Sequence, residues 1–479
     1  MIASSQASAI PLYRDIADKI EALITNGVLR PGEKAPSLRR VSAQYGVSLT
    51  TVIQAFILLE DRGLVEARPK SGFVVRPRLP RMEEPTASKP PRAVTAVTVG
   101  GLQSRLFEAV MMPHIVPLGG AVPSAELLPT VKLNRILARV ARSAGKRGVA
   151  YDMPPGSEAL RREIAKHALD AGVTLLPGEI ITTCGGTEAL MLCLRAVAPR
   201  GSIVAVESPT YFGVLHAMEE LGLKAVEIPM HPRDGMDLDA LEKIVQAKSI
   251  SACLSVPTFN NPLGSLMPEA NKKRLVKILA ARDIPLIEDD VFGELYYGAQ
   301  RPHAAKAFDE KGLVMLCSSF SKSLAPGYRV GWVAPGRFYE RVKALKLTST
   351  LATATLPELA IAEFLANGGY ERYLRSLRLI YAANVKRMSE AISASFPAGT
   401  KITQPQGGFV LWIELPKAVN ALELHDRALT HEISIAPGPM FSPTQGFRNF
   451  IRISCGQPWS ARIQSAIVTL GKLANQMAG

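Results

Sequence analysis

From Leu102 onward the chain repeats one pattern: a short apolar run, a turn of glycine or small polar residues, then a helical stretch. Residues 180–183, 203–207, 252–256, 285–287 and 313–316 each read as a short buried strand. Strands that alternate with helices return in the same direction. The pattern therefore predicts an α/β body built on a largely parallel sheet.

The last of these runs, 313–316, leads into Ser319, Ser321, Lys322, the turn Pro326-Gly327, and Arg329. A lysine at a strand end in a large α/β domain can be desolvated, which lowers its pKa and makes its amine nucleophilic. Such an amine forms a Schiff base with an aldehyde. The hydroxyls of Ser319 and Ser321 and the guanidinium of Arg329 are suited to a phosphate that anchors that aldehyde. A lone S-x-S-K is most simply a surface loop, and the arginine after a Pro-Gly turn tips the reading. The stretch resembles the cofactor-lysine motif of fold-type I aminotransferases, which use pyridoxal 5′-phosphate.

Further elements fit that resemblance. Gly185-Gly186-Thr187-Glu188 follows a strand and opens a helix, where bare amides bind anions; the resemblance puts Gly186 and Thr187 in the phosphate cup. It makes Tyr211, in Ser208-Pro209-Thr210-Tyr211, the residue that stacks on the cofactor ring. Asn261, in Asn260-Asn261-Pro262-Leu263-Gly264, would meet the ring oxygen and the substrate carboxylate. The strand at 285–287 ends in Glu288-Asp289-Asp290. A carboxylate beneath the ring nitrogen keeps that nitrogen protonated and the ring an electron sink, and Asp289 takes that role. Tyr151, in Tyr151-Asp152-Met153-Pro154-Pro155-Gly156, would reach the phosphate in a neighbouring subunit, which implies a head-to-tail homodimer. Arg452, between Ile451 and Ile453, is costly to bury unpaired; the resemblance makes it the clamp for a substrate α-carboxylate. One departure stands out: Phe292 lies where the family usually has a tyrosine. The seven histidines show no ligand spacing, and no metal site is expected.

The N-terminal part is organised differently. Ile16, Ile20, Leu23 and Ile24 share one helical face. Ser37 is placed to cap a helix over 38–45, Gly46 breaks it, and Ser48 is placed to cap a third helix over 49–62. That helix carries Val52, Ala55, Phe56 and Leu59 at core spacing. Residues 63–68 and 73–75 flank Lys70-Ser71-Gly72 as a hairpin. A short helix, a glycine turn and a second helix form a helix-turn-helix, and the hairpin is its wing. Ser48, Thr50, Thr51 and Gln54 suit base edges or phosphates, and Arg39, Arg40, Arg68 and Lys70 suit the backbone of double-stranded DNA. The module resembles the winged helix-turn-helix of GntR-type repressors. Leu49 stands where that family often has arginine, so operator specificity does not carry over.

Between the two parts, residues 76–100 hold five prolines and no hydrophobic period, which predicts a flexible linker. The net charge of +14 is in keeping with an anionic partner. The N-terminal residues are not those of a signal peptide, and no apolar run reaches membrane-spanning length. The five cysteines form no C-x-x-C pair and read as reduced core residues of a cytosolic protein. A GntR-type reader fused to an aminotransferase-like body is the layout of MocR-type regulators. The resemblance implies a reader over 1–75, the linker over 76–100, a large cofactor-binding domain over 101–345 and a small C-terminal α/β domain over 346–479. It implies a pyridoxal phosphate-binding, DNA-binding transcription regulator that senses an amino compound or the cofactor itself. The alternative is a working aminotransferase that moves amino groups from an amino acid to a 2-oxo acid.

Overall fold

The structure is a computed structural model and describes residues 11–68, 72–75, 82–97, 101–367 and 369–479. The chain divides into two units, residues 1–81 and 82–479.

In the first unit the helix Leu12–Thr25 buries Ile16, Ala17, Ile20 and Ile24. These side chains meet Val41 of the helix Leu38–Tyr45 and Val52, Ala55, Phe56 and Leu59 of the helix Leu49–Asp61. Ser37 and Ser48 cap their helices as expected, accepting from the amides of Arg40 and Thr51. Gly46 takes a left-handed conformation (φ 64°) that ends the second helix, and the chain turns through 117° into the third. The strands Val65–Arg68 and Gly72–Val75 pair antiparallel as the wing.

In the second unit a nine-stranded sheet holds the strands in the spatial order Val94–Ala96, Lys224–His231, Ile203–Ser208, Ala252–Ser255, Leu286–Asp289, Val314–Ser319, Gly331–Ala334 and Ile181–Thr183, with Gly235–Met236 paired to one edge. From Lys224–His231 to Val314–Ser319 the neighbours are parallel. Gly331–Ala334 runs antiparallel to both of its neighbours. The parallel strands are buried on both faces, which explains their continuous apolar runs. A second sheet orders Lys401–Ile402, Val410–Glu414, Phe450–Ser454 and Ala436–Pro437, all antiparallel, beside the helices Gly369–Ser395 and Ala461–Ala478. Among the described residues no single helix is long and apolar enough to cross a membrane.

The expected linker differs from what the structure holds. Residues 82–97 are fastened to the body. Val94–Ala96 forms one edge of the large sheet, antiparallel to Lys224–His231. Ser88 exchanges main-chain and side-chain hydrogen bonds with Met230, and its hydroxyl donates to the carbonyl of Ser208. The carbonyl of Glu83 accepts from the amide of Ile402. Main-chain pairing at an open sheet edge needs no hydrophobic period, so composition alone gave no sign of it. Ser88→Ala leaves the buried amide of Met230 without its acceptor. The expected loss is about 1–3 kcal/mol of stability, read by urea denaturation of the full chain.

Candidate functional site

At the carboxyl ends of the parallel strands lies a cavity of about 310 Å³, lined by Gly186, Thr187, Tyr211, Asn261, Asp289, Ser319, Ser321, Lys322, Arg329 and Arg452 among others. Of the body residues expected in a site, all but Tyr151 line it. Tyr151 is 77% exposed in the single chain.

Lys322 follows the strand Val314–Ser319, and its Nζ donates to the carbonyl of Ala121 at 2.7 Å. Lys322 is half-buried and lines the cavity. Burial pushes its pKa down to about 8; the charge of Arg452 adds to this, and Asp289 opposes it. One wall of the cavity gathers anion-binding groups. The Oγ of Ser319 donates to that of Ser321 at 2.8 Å, and Ser321 accepts from Arg329 at 3.1 Å. Arg329 also donates to the carbonyl of Cys184. The helix Gly186–Val197 begins beside them, with the amides of its first turn bare of helical partners. Gly185 sits at φ 80°, and a Cβ there would lie 2.2 Å from the Arg329 guanidinium, so only glycine fits.

Asp289 ends the strand Leu286–Asp289, is 4% exposed and has a pKa raised to about 7, chiefly by burial. Tyr211 immediately precedes the helix Phe212–Glu220, its ring 4.9 Å from that of Phe212. Asn261 is buried, and its Oδ1 has no partner. Arg452, in the strand Phe450–Ser454, is 1% exposed; one nitrogen donates to the carbonyl of Gly119, while Nε and Nη1 have no partner. Desolvation lowers its pKa to about 10. A buried cation with two unused donors facing a cavity is built for an anion from outside. Phe292 is buried against Phe409, their ring centroids 5.4 Å apart. It offers the cavity an apolar edge where a tyrosine would offer a hydroxyl.

Sequence reasoning did not place Leu106, the segment 119–122 or Glu207. Glu207 is fully buried at the end of Ile203–Ser208 and accepts from Ser255 Oγ at 2.6 Å, from the Val256 amide at 3.0 Å and from Asn260, the neighbour of Asn261. An acid closing an apolar strand, as in Val206-Glu207-Ser208, was the available signal. Among the described residues no cluster of potential metal ligands occurs, and the five cysteines are free, Cys184 being half-buried rather than core.

In the reader Arg39, Arg40, Ser48, Thr50 and Gln54 are exposed, and Thr51 is half-buried. Ser48 and Thr51 are 2.8 Å apart and engaged in capping the helix. Arg68 is exposed and paired with Glu66 at 2.6 Å. Lys70 lies outside the described residues. Leu49, Ile53 and Ile57 are 44%, 39% and 49% exposed, an apolar stripe beside Thr50 and Gln54.

A mostly parallel sheet, with Gly331–Ala334 reversed in its interior, and a lysine-bearing cavity at its strand ends define the body as an aminotransferase-type fold. Residues 120–468 match the family of class I and II aminotransferases, and residues 12–75 match bacterial regulatory proteins of the gntR family. The uncharacterized HTH-type transcriptional regulator YdcR of Escherichia coli strain K12 is 39% identical over 97% of this chain and 99% of its own. The α-aminoadipate aminotransferase LysN of Thermus thermophilus, solved with N-(5′-phosphopyridoxyl)-L-leucine, is similar with a TM-score of 0.73 at 29% identity; 79% of this chain and 96% of that one are covered. The kynurenine aminotransferase of Pyrococcus horikoshii, solved with PMP, also gives 0.73, at 27% identity over 78% and 94%. The chain belongs to the MocR-type transcription regulators, which join a gntR-type DNA reader to a class I and II aminotransferase body.

The depressed pKa of Lys322 has a measurable consequence. Below about pH 8 its amine is charged in the folded and the unfolded chain, and folding carries the full penalty of burying that charge. As pH rises from about 8 to 10.5 the folded chain is already neutral while the unfolded chain loses its proton, and the penalty fades. In cofactor-free protein, Lys322→Met is expected to exceed the wild type in stability by about 1–3 kcal/mol at pH 7. Urea unfolding should show that gap closing by pH 10.5.

Proposed function

We propose that this regulator holds pyridoxal 5′-phosphate in the cavity of its body and responds there to an amino compound that carries a carboxylate. The observation that carries the reading is the pairing, in one enclosed space, of a lysine with a lowered pKa and an arginine with two unused donors. Gly186, Thr187, Ser319, Ser321 and Arg329 would hold the phosphate, Tyr211 the ring face, Asp289 the ring nitrogen and Asn261 the ring oxygen. The unpartnered Oδ1 of Asn261 and the glycine cradle at Gly185 both fit such an occupant. When bound, the cofactor supplies an aldehyde and an electron-withdrawing ring. Lys322 engages the aldehyde through its neutral amine, which at pH 7 is about a tenth of the population for a pKa near 8. Arg452 takes the carboxylate of the incoming compound and fixes its orientation.

Tyr151 belongs to this site only through a second copy. Val149, Tyr151 and Met153 are 92%, 77% and 47% exposed in the single chain. Three apolar side chains so close in sequence suit a subunit interface, and a head-to-tail homodimer would carry Tyr151 toward the partner's cavity. A dimer also presents two readers to a repeated or palindromic operator, and the cytoplasm is the proposed place of action. Arg39, Arg40, Arg68 and Lys70 would hold the DNA backbone, with Ser48, Thr50, Thr51 and Gln54 at bases or phosphates.

Absorbance of the protein isolated with its cofactor, recorded while upstream-DNA binding is followed, tests the reading. A near-visible band that amino compounds perturb, with a parallel change in DNA affinity, is expected, and Lys322→Ala should remove the band. Steady amino transfer to a 2-oxo acid with no effect on DNA would make the body an enzyme instead. In the reader, Gln54→Ala is expected to weaken the specific operator by about 1–3 kcal/mol and leave nonspecific DNA nearly unchanged. Arg39→Ala should weaken both and flatten the salt dependence by about one unit of slope. Fluorescence anisotropy at several salt concentrations separates the two.

A further inference from the structure

The cavity has a second property, visible once its charged groups are assigned. Among the described residues lining it, the charged side chains are Asp289, Lys322, Arg329 and Arg452. The proposed reading uses every one of them: ring nitrogen, aldehyde, phosphate and one carboxylate. Among the described residues of the single chain, no further cation lines the cavity to meet a second carboxylate, and no further anion to meet an ammonium or guanidinium on an effector side chain.

The groups that remain lie along a definable path. Arg452 donates to the carbonyl of Gly119, and Lys322 donates to the carbonyl of Ala121. Residues 119–122 thus run from the carboxylate end of the cavity to the amine end. An α-amino acid has its carboxylate and amine on one carbon, so that carbon must lie along this segment. Leu106 crowds the same segment: a Cβ built on Gly119 would stand 2.6 Å from its Cδ1. Leu106 is 1% exposed, Val122 is half-buried, and both line the cavity. The wall nearest the expected α-carbon is therefore aliphatic. A charged side chain placed there would lose its hydration with no compensating partner, at a cost well above the tenfold scale of ordinary selectivity.

We propose that the effector is an α-amino acid with a single carboxylate and an uncharged, apolar side chain, and that Leu106 and Val122 form the wall that selects it. The proposal rests on the reading of Lys322 and Arg452 given above.

The test uses full-length protein loaded with pyridoxal 5′-phosphate. Leucine, methionine, valine and phenylalanine are titrated against glutamate, aspartate, lysine and arginine, with the near-visible absorbance as readout. The apolar set is expected to perturb the band with apparent affinities at least tenfold tighter than any charged amino acid. A dicarboxylic or basic amino acid binding as tightly would overturn the proposal and leave the cofactor reading intact. Two controls keep the failures apart. Absence of the band indicts the cofactor reading, and then no selectivity wall exists to defend. A band that no α-amino acid perturbs in the wild type, or that they perturb equally well in Arg452→Met, indicts the carboxylate clamp and with it this proposal. Val122→Arg supplies the missing cation at a half-buried position. It should improve the response to glutamate relative to leucine by at least tenfold, and an unchanged ratio in folded, cofactor-loaded variant would remove Val122 from the wall. The wild-type profile decides the effector class whether or not that variant folds.

Discussion

The contact on which the body depends most is between two glycine backbones. A Cβ on Gly331 would lie 2.5 Å from the carbonyl carbon of Gly185 and 2.8 Å from the amide nitrogen of Gly186. This approach lets the antiparallel strand Gly331–Ala334 pass between Ile181–Thr183 and Val314–Ser319. It brings two distant stretches into one wall: the bare amides of the helix Gly186–Val197, and the Ser319–Arg329 loop. Arg329 reaches the Cys184 carbonyl because Gly185 offers no side chain, and holds its own left-handed turn at φ 53°. Anion-binding geometry here is a product of backbone clearance, and the charges follow it.

The three acids after the strand 285–287 show how much of the site was legible and why. Alternation along a strand sends neighbours to opposite faces. Asp289 alone of the three lines the cavity, while Glu288 accepts from the amides of Ala305 and Lys306 at 2.7 and 2.8 Å, and Asp290 pairs with Arg301 at 2.5 Å. All three are buried carboxylates with separate partners. The strand ends, Lys322, the glycine turn and Arg452 were legible because each sets an unusual residue type against an apolar run. Leu106 and residues 119–122 were not, since an aliphatic wall near a carbonyl has no chemical signature until the chain is folded. In the reader the caps and buried stripe were legible from spacing, but the exposed apolar line of Leu49, Ile53 and Ile57 looks in sequence like more core.

Residues 82–97 illustrate a different blindness. Their fastening to the body is mostly main-chain hydrogen bonding, and a proline-rich composition conceals it. The contact at Ser208 has particular reach. Ser208 donates to Glu227 at 2.6 Å, and Glu227 also receives hydrogen bonds from Ser442 and Thr444. Three residues beyond Ser208 is Tyr211, and next to Ser442 is Phe441, whose ring lies 5.7 Å from the Arg452 guanidinium. Residues 82–97 thus meet a polar network of Ser208, Glu227, Ser442 and Thr444 that lies close in sequence to Tyr211 of the cavity wall and to Phe441 beside Arg452.

The unused donors of Arg452 and the unpartnered Oδ1 of Asn261 also bear on how long the protein lasts. Buried polar groups without partners weaken a folded chain, and a ligand that satisfies them returns that free energy by mass action. The ligand-free body is therefore the more readily unfolded form, and proteases that capture opened chains remove it first. With the proposed ligand in place, turnover itself would favour occupied molecules, and the pool of this regulator would be enriched in the liganded state beyond what affinity alone would set.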